Sequence, residues 1–192
     1  MDEYKILLGY LTIAIAFVSY GLYFRDIFSG KTKPQPFSWF IWSVLSAIAF
    51  SAQVTENAGP GAWITGLTAA VCLVISVLAS FKMTWRFSLL DWGSLIAAMA
   101  ALIVWNYTKQ PNLAVILVTI TYALGFLPTF YKGYLRPNEE TLETFALNAS
   151  KFGIAVFALS SFSVATWLYP AALFFLNSVL AGMLFIRRRY IS

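Results

Sequence analysis

The chain has 192 residues, 60% of them hydrophobic and only 11% charged, with a formal net charge of +5. A soluble domain draws its polar shell from about 25% charged residues, so this composition excludes one. The single cysteine, Cys72, excludes an internal disulfide, and the lack of histidine removes the commonest general base and metal ligand.

Apolar stretches of about twenty residues follow one another along nearly the whole length, as in helices that cross lipid. Hydrocarbon offers the backbone no water, so a spanning segment is a helix or part of a closed barrel. Barrel strands alternate apolar and polar residues, and runs such as 113–127 do not. Met1-Asp2-Glu3 is acidic and precedes an apolar run too long for a signal peptide, so the first run reads as a span. The spacing predicts seven spans, over 6–28, 37–53, 62–81, 89–107, 113–131, 141–160 and 169–186. Pro34-Gln35-Pro36, Asn57-Ala58-Gly59-Pro60-Gly61, Gln110-Pro111-Asn112 and Arg136-Pro137-Asn138 punctuate them. The connections leave no room for a soluble domain.

Charge sets the expected orientation. With the N-terminus outside, the inner loops and tail hold Arg25, Lys31, Lys33, Lys82, Arg86, Lys132, Arg136, Arg187, Arg188 and Arg189, against Lys5 and Lys109 outside. That bias follows the positive-inside rule for a multi-pass cell (inner or plasma) membrane protein with a cytoplasmic C-terminus. It accounts for the net charge without nucleic acid, which would need a basic face on a soluble surface. Trp39, Trp42, Trp63, Trp85, Trp92, Trp105 and Trp167 all lie near expected span ends, where the ring suits the headgroup region.

The seven spans divide as three, one and three. The loops after spans one and five are both basic, so the two triplets run in the same direction, with span four restoring orientation between them. The divisions are 1–83, 84–109 and 110–192. Pro170-Ala171-Ala172 opens span seven as Pro60-Gly61-Ala62 opens span three.

On these features the chain resembles the PQ-loop and SWEET superfamily of three-plus-one-plus-three transporters, most of all its uncharacterised bacterial branch. Phe126-Leu127-Pro128-Thr129, then Lys132, then Glu143-Thr144-Phe145 is similar to the family's helix-ending Pro-Gln, lysine, polar loop and aromatic second helix. Pro170 followed by Asn177 is similar to its proline and asparagine on the third helix of a repeat, and the resemblance implies that Asn177 lines a solute pocket. The first half departs more. Gly30-Lys31-Thr32-Lys33 is like the family's loop, but Tyr23 stands near the hinge proline's place, and Gln53 and Ala158 stand near those of the pocket tryptophans. The resemblance therefore implies the architecture rather than sugar transport.

Lys151 carries the functional expectation. It falls near mid-bilayer in span six, where a lysine costs about 2.5–3.5 kcal/mol on insertion scales and so faces a cavity or a partner. Both surfaces lie roughly 15 Å away, too far for easy snorkelling. A structural partner remains the competing account. Asn148 lies one turn earlier on the same face. Asn177, Tyr20, Tyr122, Gln53 and Thr68 complete the expected substrate-binding set, although buried tyrosines are more often core. Thr65, Thr68, Cys72 and Ser76 share a face of span three, which favours helix packing over a pocket. Asp91, Glu139, Glu140 and Glu143 suit helix N-termini, with a proton site as the alternative for Asp91 and an inner gate with Lys132 and Arg136 as the alternative for the three glutamates. Glu143 and Arg136 are the expected gate, and Pro128, which frees a backbone carbonyl, is the expected hinge.

Enzyme motifs and metal-ligand clusters are absent from the sequence, so no catalytic residue, metal or cofactor is expected. The expectation is an alternating-access transporter or facilitator of a small polar solute, anionic or zwitterionic because of Lys151. The alternative is a non-transporting membrane receptor or partner-binding protein. The partners are the lipid bilayer and the solute, with a homo-oligomer open.

Overall fold

The computed structural model describes residues 3–32, 34–82 and 89–191. Lys33, Trp85 and Arg86 lie outside the described residues, as does the boundary expected at 83–84, and so do the side chains of Asp91 and Pro128. The described residues are all-helical with no strand: α1 (Glu3–Phe28), α2 (Pro36–Thr55), α3 (Trp63–Lys82), α4 (Leu89–Thr108), α5 (Pro111–Leu135), α6 (Leu142–Phe157) and α7 (Val164–Ile191). Pro36 and Pro111 open their helices, where the missing N–H costs nothing. Gly30, at φ 75°, turns the chain out of α1.

Five helical stretches are long and apolar enough to cross a membrane: Glu3–Phe28, Pro36–Thr55, Gly59–Phe81, Pro111–Leu135 and Val164–Tyr190. These are the helices of a membrane-embedded protein. The expected fourth and sixth spans are shorter as apolar helices. In α4 the apolar run is Trp92–Thr108, and α6 has 16 residues, roughly 24 Å of rise.

Span seven needs correction. The helix begins at Val164 and ends at Ile191, so Pro170 lies inside it rather than opening it. An interior proline leaves the carbonyl four residues earlier, here Thr166, without its backbone donor. Gln53 Nε2 from α2 donates to that oxygen at 2.9 Å, so the helix continues through the proline.

Packing sets the order of the helices. α3 lies against both α1 and α2, and α7 against both α5 and α6. Across the molecule α1 packs on α6 and α2 on α5, while α4 lies on α5 and α2. The core runs along these seams through Leu45, Ile64, Val115, Val118, Tyr169, Leu173 and Leu180.

The α2–α3 and α6–α7 turns lock together. Ser160 N donates to Ala58 O at 2.8 Å, and Gly61 N donates to Ala158 O at 3.1 Å. The Ser161 hydroxyl adds a bond to Glu56 O. The non-helical backbone at the end of α6 is thereby satisfied by protein. Glycine permits the approach. Gly59 sits at φ 65°, and a Cβ there would strike the Ser160 side chain. A Cβ on Gly61 would lie 2.6 Å from Leu159 Cδ2 and 2.7 Å from Ala155 O.

Gly61→Ala is therefore expected to destabilise the protein by about 1–3 kcal/mol, the usual cost of overpacking, read as a lower thermal unfolding midpoint in detergent. Gly182→Ala, where a Cβ meets nothing within 4 Å, should show no loss.

Candidate functional site

A cavity of about 500 Å³ is walled by residues of all seven helices. Towards the α1–α2 and α5–α6 connections it is lined by Thr32, Pro34, Gln35, Lys132 and Glu140. Deeper, its wall is Tyr20 and Tyr23 of α1, Trp39 and Trp42 of α2, Thr68 and Cys72 of α3 and Ser94 of α4. Tyr122 and Phe126 of α5, Thr144, Phe145, Asn148 and Phe152 of α6, and Asn177 of α7 complete it.

The deep wall is aromatic with a few fixed polar groups, the usual make-up of a small-molecule site. Trp42 packs on Tyr122 at 5.8 Å and on Phe126 at 6.2 Å between ring centroids. Tyr122 meets Tyr169 edge-on at 5.6 Å. Ser19 donates to Asn148 Oδ1 at 3.1 Å, which leaves the Asn148 amide N–H groups free. Asn177 Nδ2 donates to Leu173 O at 2.7 Å, while its buried Oδ1 has no partner, nor does Thr144 Oγ1. Tyr20 donates to Thr68 Oγ1 at 3.0 Å.

Lys151 is wholly buried, beside this wall but not part of it. Its Nζ lies 3.8 Å from the Tyr20 ring centroid and 5.4 Å from that of Phe152, and has no hydrogen-bond partner. Tyr20 and Phe152 both line the cavity, so Lys151 sits immediately behind it.

The two ends differ. Towards the α2–α3 turn the cavity stops at Tyr169, whose hydroxyl shares a hydrogen bond with Ser46 at 2.9 Å. Beyond lie the Gln53–Thr166 bond and the locked turns. At the other end the ties are ionic. Lys132 pairs with Glu140 at 2.9 Å. Asp26, 2% exposed, accepts from Thr141 Oγ1 at 2.8 Å and from Arg25 Nη2 at 2.9 Å, with Lys31 Nζ at 3.7 Å. This joins α1 to the start of α6.

Of the expected set, Asn148, Asn177, Tyr20, Tyr122 and Thr68 come together on the cavity. Gln53 does not; it belongs to the closed end. Thr68 and Cys72 line the cavity, while Ser76 on the same face bonds Pro36 O at 2.8 Å. Of the residues considered for the gate, Lys132 and Glu140 line the mouth, and Arg136 and Glu143 do not. Arg136 pairs with Glu139 at 3.4 Å on the surface, and Glu143 is exposed in the first turn of α6. α5 continues helically through position 128 to Leu135. Trp39 and Trp42 line the cavity. Asp26 was not singled out from the sequence, although a carboxylate in the last turn of a helix opposes the helix dipole and so calls for a compensating partner.

Compared with family models, curated proteins and solved structures, the chain matches none.

Gln53→Leu strands the Thr166 carbonyl and should cost about 1–3 kcal/mol, read as a drop in the thermal midpoint. Pro170→Ala restores a backbone donor to that carbonyl. The double variant should recover most of the loss, a non-additivity that a double-mutant cycle measures.

Proposed function

We propose that the chain is a membrane transporter or facilitator that carries a small polar solute by alternating access. Its helices are read as two three-helix bundles running in the same direction, α1–α3 and α5–α7, with α4 as the linker. The likeness of sequence makes it a divergent member of the PQ-loop and SWEET superfamily on this reading. Support for the bundles comes from the repeated packing, with the third helix between the first and second in each set. The reciprocal bonds Ser160 N to Ala58 O and Gly61 N to Ala158 O join equivalent turns of the two sets, as a two-fold relation would.

The observation that carries the functional reading is the cavity itself. It lies between the two sets, is lined by Asn148, Asn177 and aromatic rings, reaches the α1–α2 and α5–α6 connections, and stops at the other end. The basic loops put the reached end in the cytoplasm, with the N-terminus outside and the C-terminus inside, so the conformation is inward-facing. A carrier of this type moves one bundle against the other around a site at the midplane. The locked turns would part as the Lys132–Glu140 end closed, with Pro128 as the hinge on α5.

Two measurements test this. Thr129 lines the cavity near its mouth, so Thr129→Cys in a Cys72→Ser background should react with a membrane-impermeant maleimide from the cytoplasmic face of inverted vesicles. Reaction only from the outer face would refute the orientation. Purified protein in liposomes should exchange a labelled solute from a panel of small carboxylic acids, amino acids and sugars. Asn177→Ala should slow that exchange by about ten-fold, the effect of roughly 1.4 kcal/mol. Saturable binding with no exchange would replace transport by a receptor role.

A further inference from the structure

Resting on the reading of this cavity as a solute site, we propose that its ligand is a small carboxylate with a flat unsaturated body, and that Lys151 is the counter-ion of the carboxylate. Lys151 is wholly buried on α6, and its Nζ has no hydrogen-bond or ion-pair partner among the described residues. An ammonium has three N–H donors, and a face-on aromatic ring satisfies none of them as an acceptor oxygen does. The 3.8 Å contact with Tyr20 gives cation–π attraction, which offsets only part of the lost hydration.

Among the described residues no carboxylate completes the pair. Among the described residues Asp26 is the only other buried charge. It lies about 9 Å further along α1 than Tyr20 and is already held by Arg25, Lys31 and Thr141. Cys72 of α3 and the tyrosine hydroxyls are the remaining titratable groups around Lys151, and neither kind supplies an anion readily. The missing acceptor must therefore arrive through the cavity.

The wall specifies the rest of the ligand. The Tyr20 and Phe152 rings, which line the cavity, lie 3.8 and 5.4 Å from Nζ. Asn148, one turn from Lys151 on α6, keeps free amide N–H groups that donate to an anion. Trp42, Tyr122 and Phe126 offer ring faces for a flat body. Among the described residues a cationic ligand would meet no acid at this depth. When the carboxylate enters, Tyr20 turns aside, its bond to Thr68 breaks, and the ammonium exchanges a ring for an oxygen.

The test is equilibrium binding of radiolabelled benzoate to the full protein in lipid nanodiscs, with benzamide and benzylamine as competitors. Benzoate should bind saturably, and neither competitor should displace it. Lys151→Met should weaken benzoate binding by about ten-fold or more, and Lys151→Arg should retain most of it. Thr68→Val, which releases the Tyr20 hydroxyl without touching Lys151, should tighten binding. No benzoate binding, displacement by benzamide, or a Lys151→Met protein that binds like the wild type would each overturn the proposal. If Lys151→Met does not fold, weakened binding in Thr68→Val overturns the role of Tyr20, and the competition series still decides the ligand class. Binding here requires no flux. Benzoate binding without exchange in liposomes would remove transport and leave this inference standing, whereas exchange of neutral sugars unaffected by Lys151→Met would do the reverse.

Discussion

Inside a membrane a polar group must find its partner within the protein, and most of this structure is arranged by that requirement. Pro170 breaks one hydrogen bond of α7, and an amide from the opposite set of helices replaces it. The end of α6 leaves regular helix, and the turn between α2 and α3 supplies donor and acceptor in return. Asp26 is buried at the end of α1, and two cations and a hydroxyl gather on it. Each repair reaches between distant parts of the chain. Polar satisfaction therefore aligns the helices where lipid-facing apolar surface cannot, since hydrocarbon gives no driving force for one apolar helix face over another.

The same requirement makes the two ends unequal. At the closed end the ties are neutral hydrogen bonds between backbone groups, a glutamine amide and a tyrosine hydroxyl, packed under small residues that admit no extra methyl group. At the reached end Lys132 pairs with Glu140 and Arg25 with Asp26, with Lys132 44% and Arg25 63% exposed, while the bond that joins α1 to the start of α6 runs from Thr141 Oγ1 to the Asp26 carboxylate. Exposed pairs contribute roughly 0–1 kcal/mol, because water competes for both charges. Separation at that end breaks the Thr141–Asp26 hydrogen bond but leaves the carboxylate held by Arg25 and Lys31. Parting the closed end requires water to reach and solvate every freed backbone group, so it favours the conformation described. A carrier has to keep its two conformations within a few kcal/mol of each other. Backbone bonds meet that condition because water replaces them at modest net cost once it arrives.

The sequence made the count of helices legible, since apolar runs and their Pro, Gly and Asn punctuation are local properties. It misplaced the start of α7 for a reason of the same kind. A proline usually marks the first turn of a helix, and only the distant Gln53 explains why this one lies in the interior. Lys151 and Asn177 stood out because a polar residue deep in an apolar run is anomalous by itself. Trp42 did not, since the preference of tryptophan for headgroups is a population rule that a cavity overrides at a single position. Asp26 escaped notice because its neighbours Arg25 and Lys31 made it look like one charge among several at a loop. That Thr68 and Cys72 face the cavity while Ser76 bonds Pro36 could not be read from a shared helical face. It depends on where α1 and α2 cross α3.

The placement of Lys151 behind Tyr20, rather than in the open wall, has a selective consequence. An ammonium standing bare in an aqueous cavity would be hydrated and screened, and any anion of suitable size would find it. Behind the ring it is dry, and reaching it requires breaking the Tyr20–Thr68 hydrogen bond and losing the cation–π contact. A neutral solute gains nothing there that would offset this. A carboxylate gains a charge-assisted bond in a low-dielectric setting, where such bonds are strongest. Discrimination then comes from what the wrong ligand fails to compensate as much as from what the right one contacts. On the proposed reading, the ring that contacts Lys151 is thus also the filter that selects the solute.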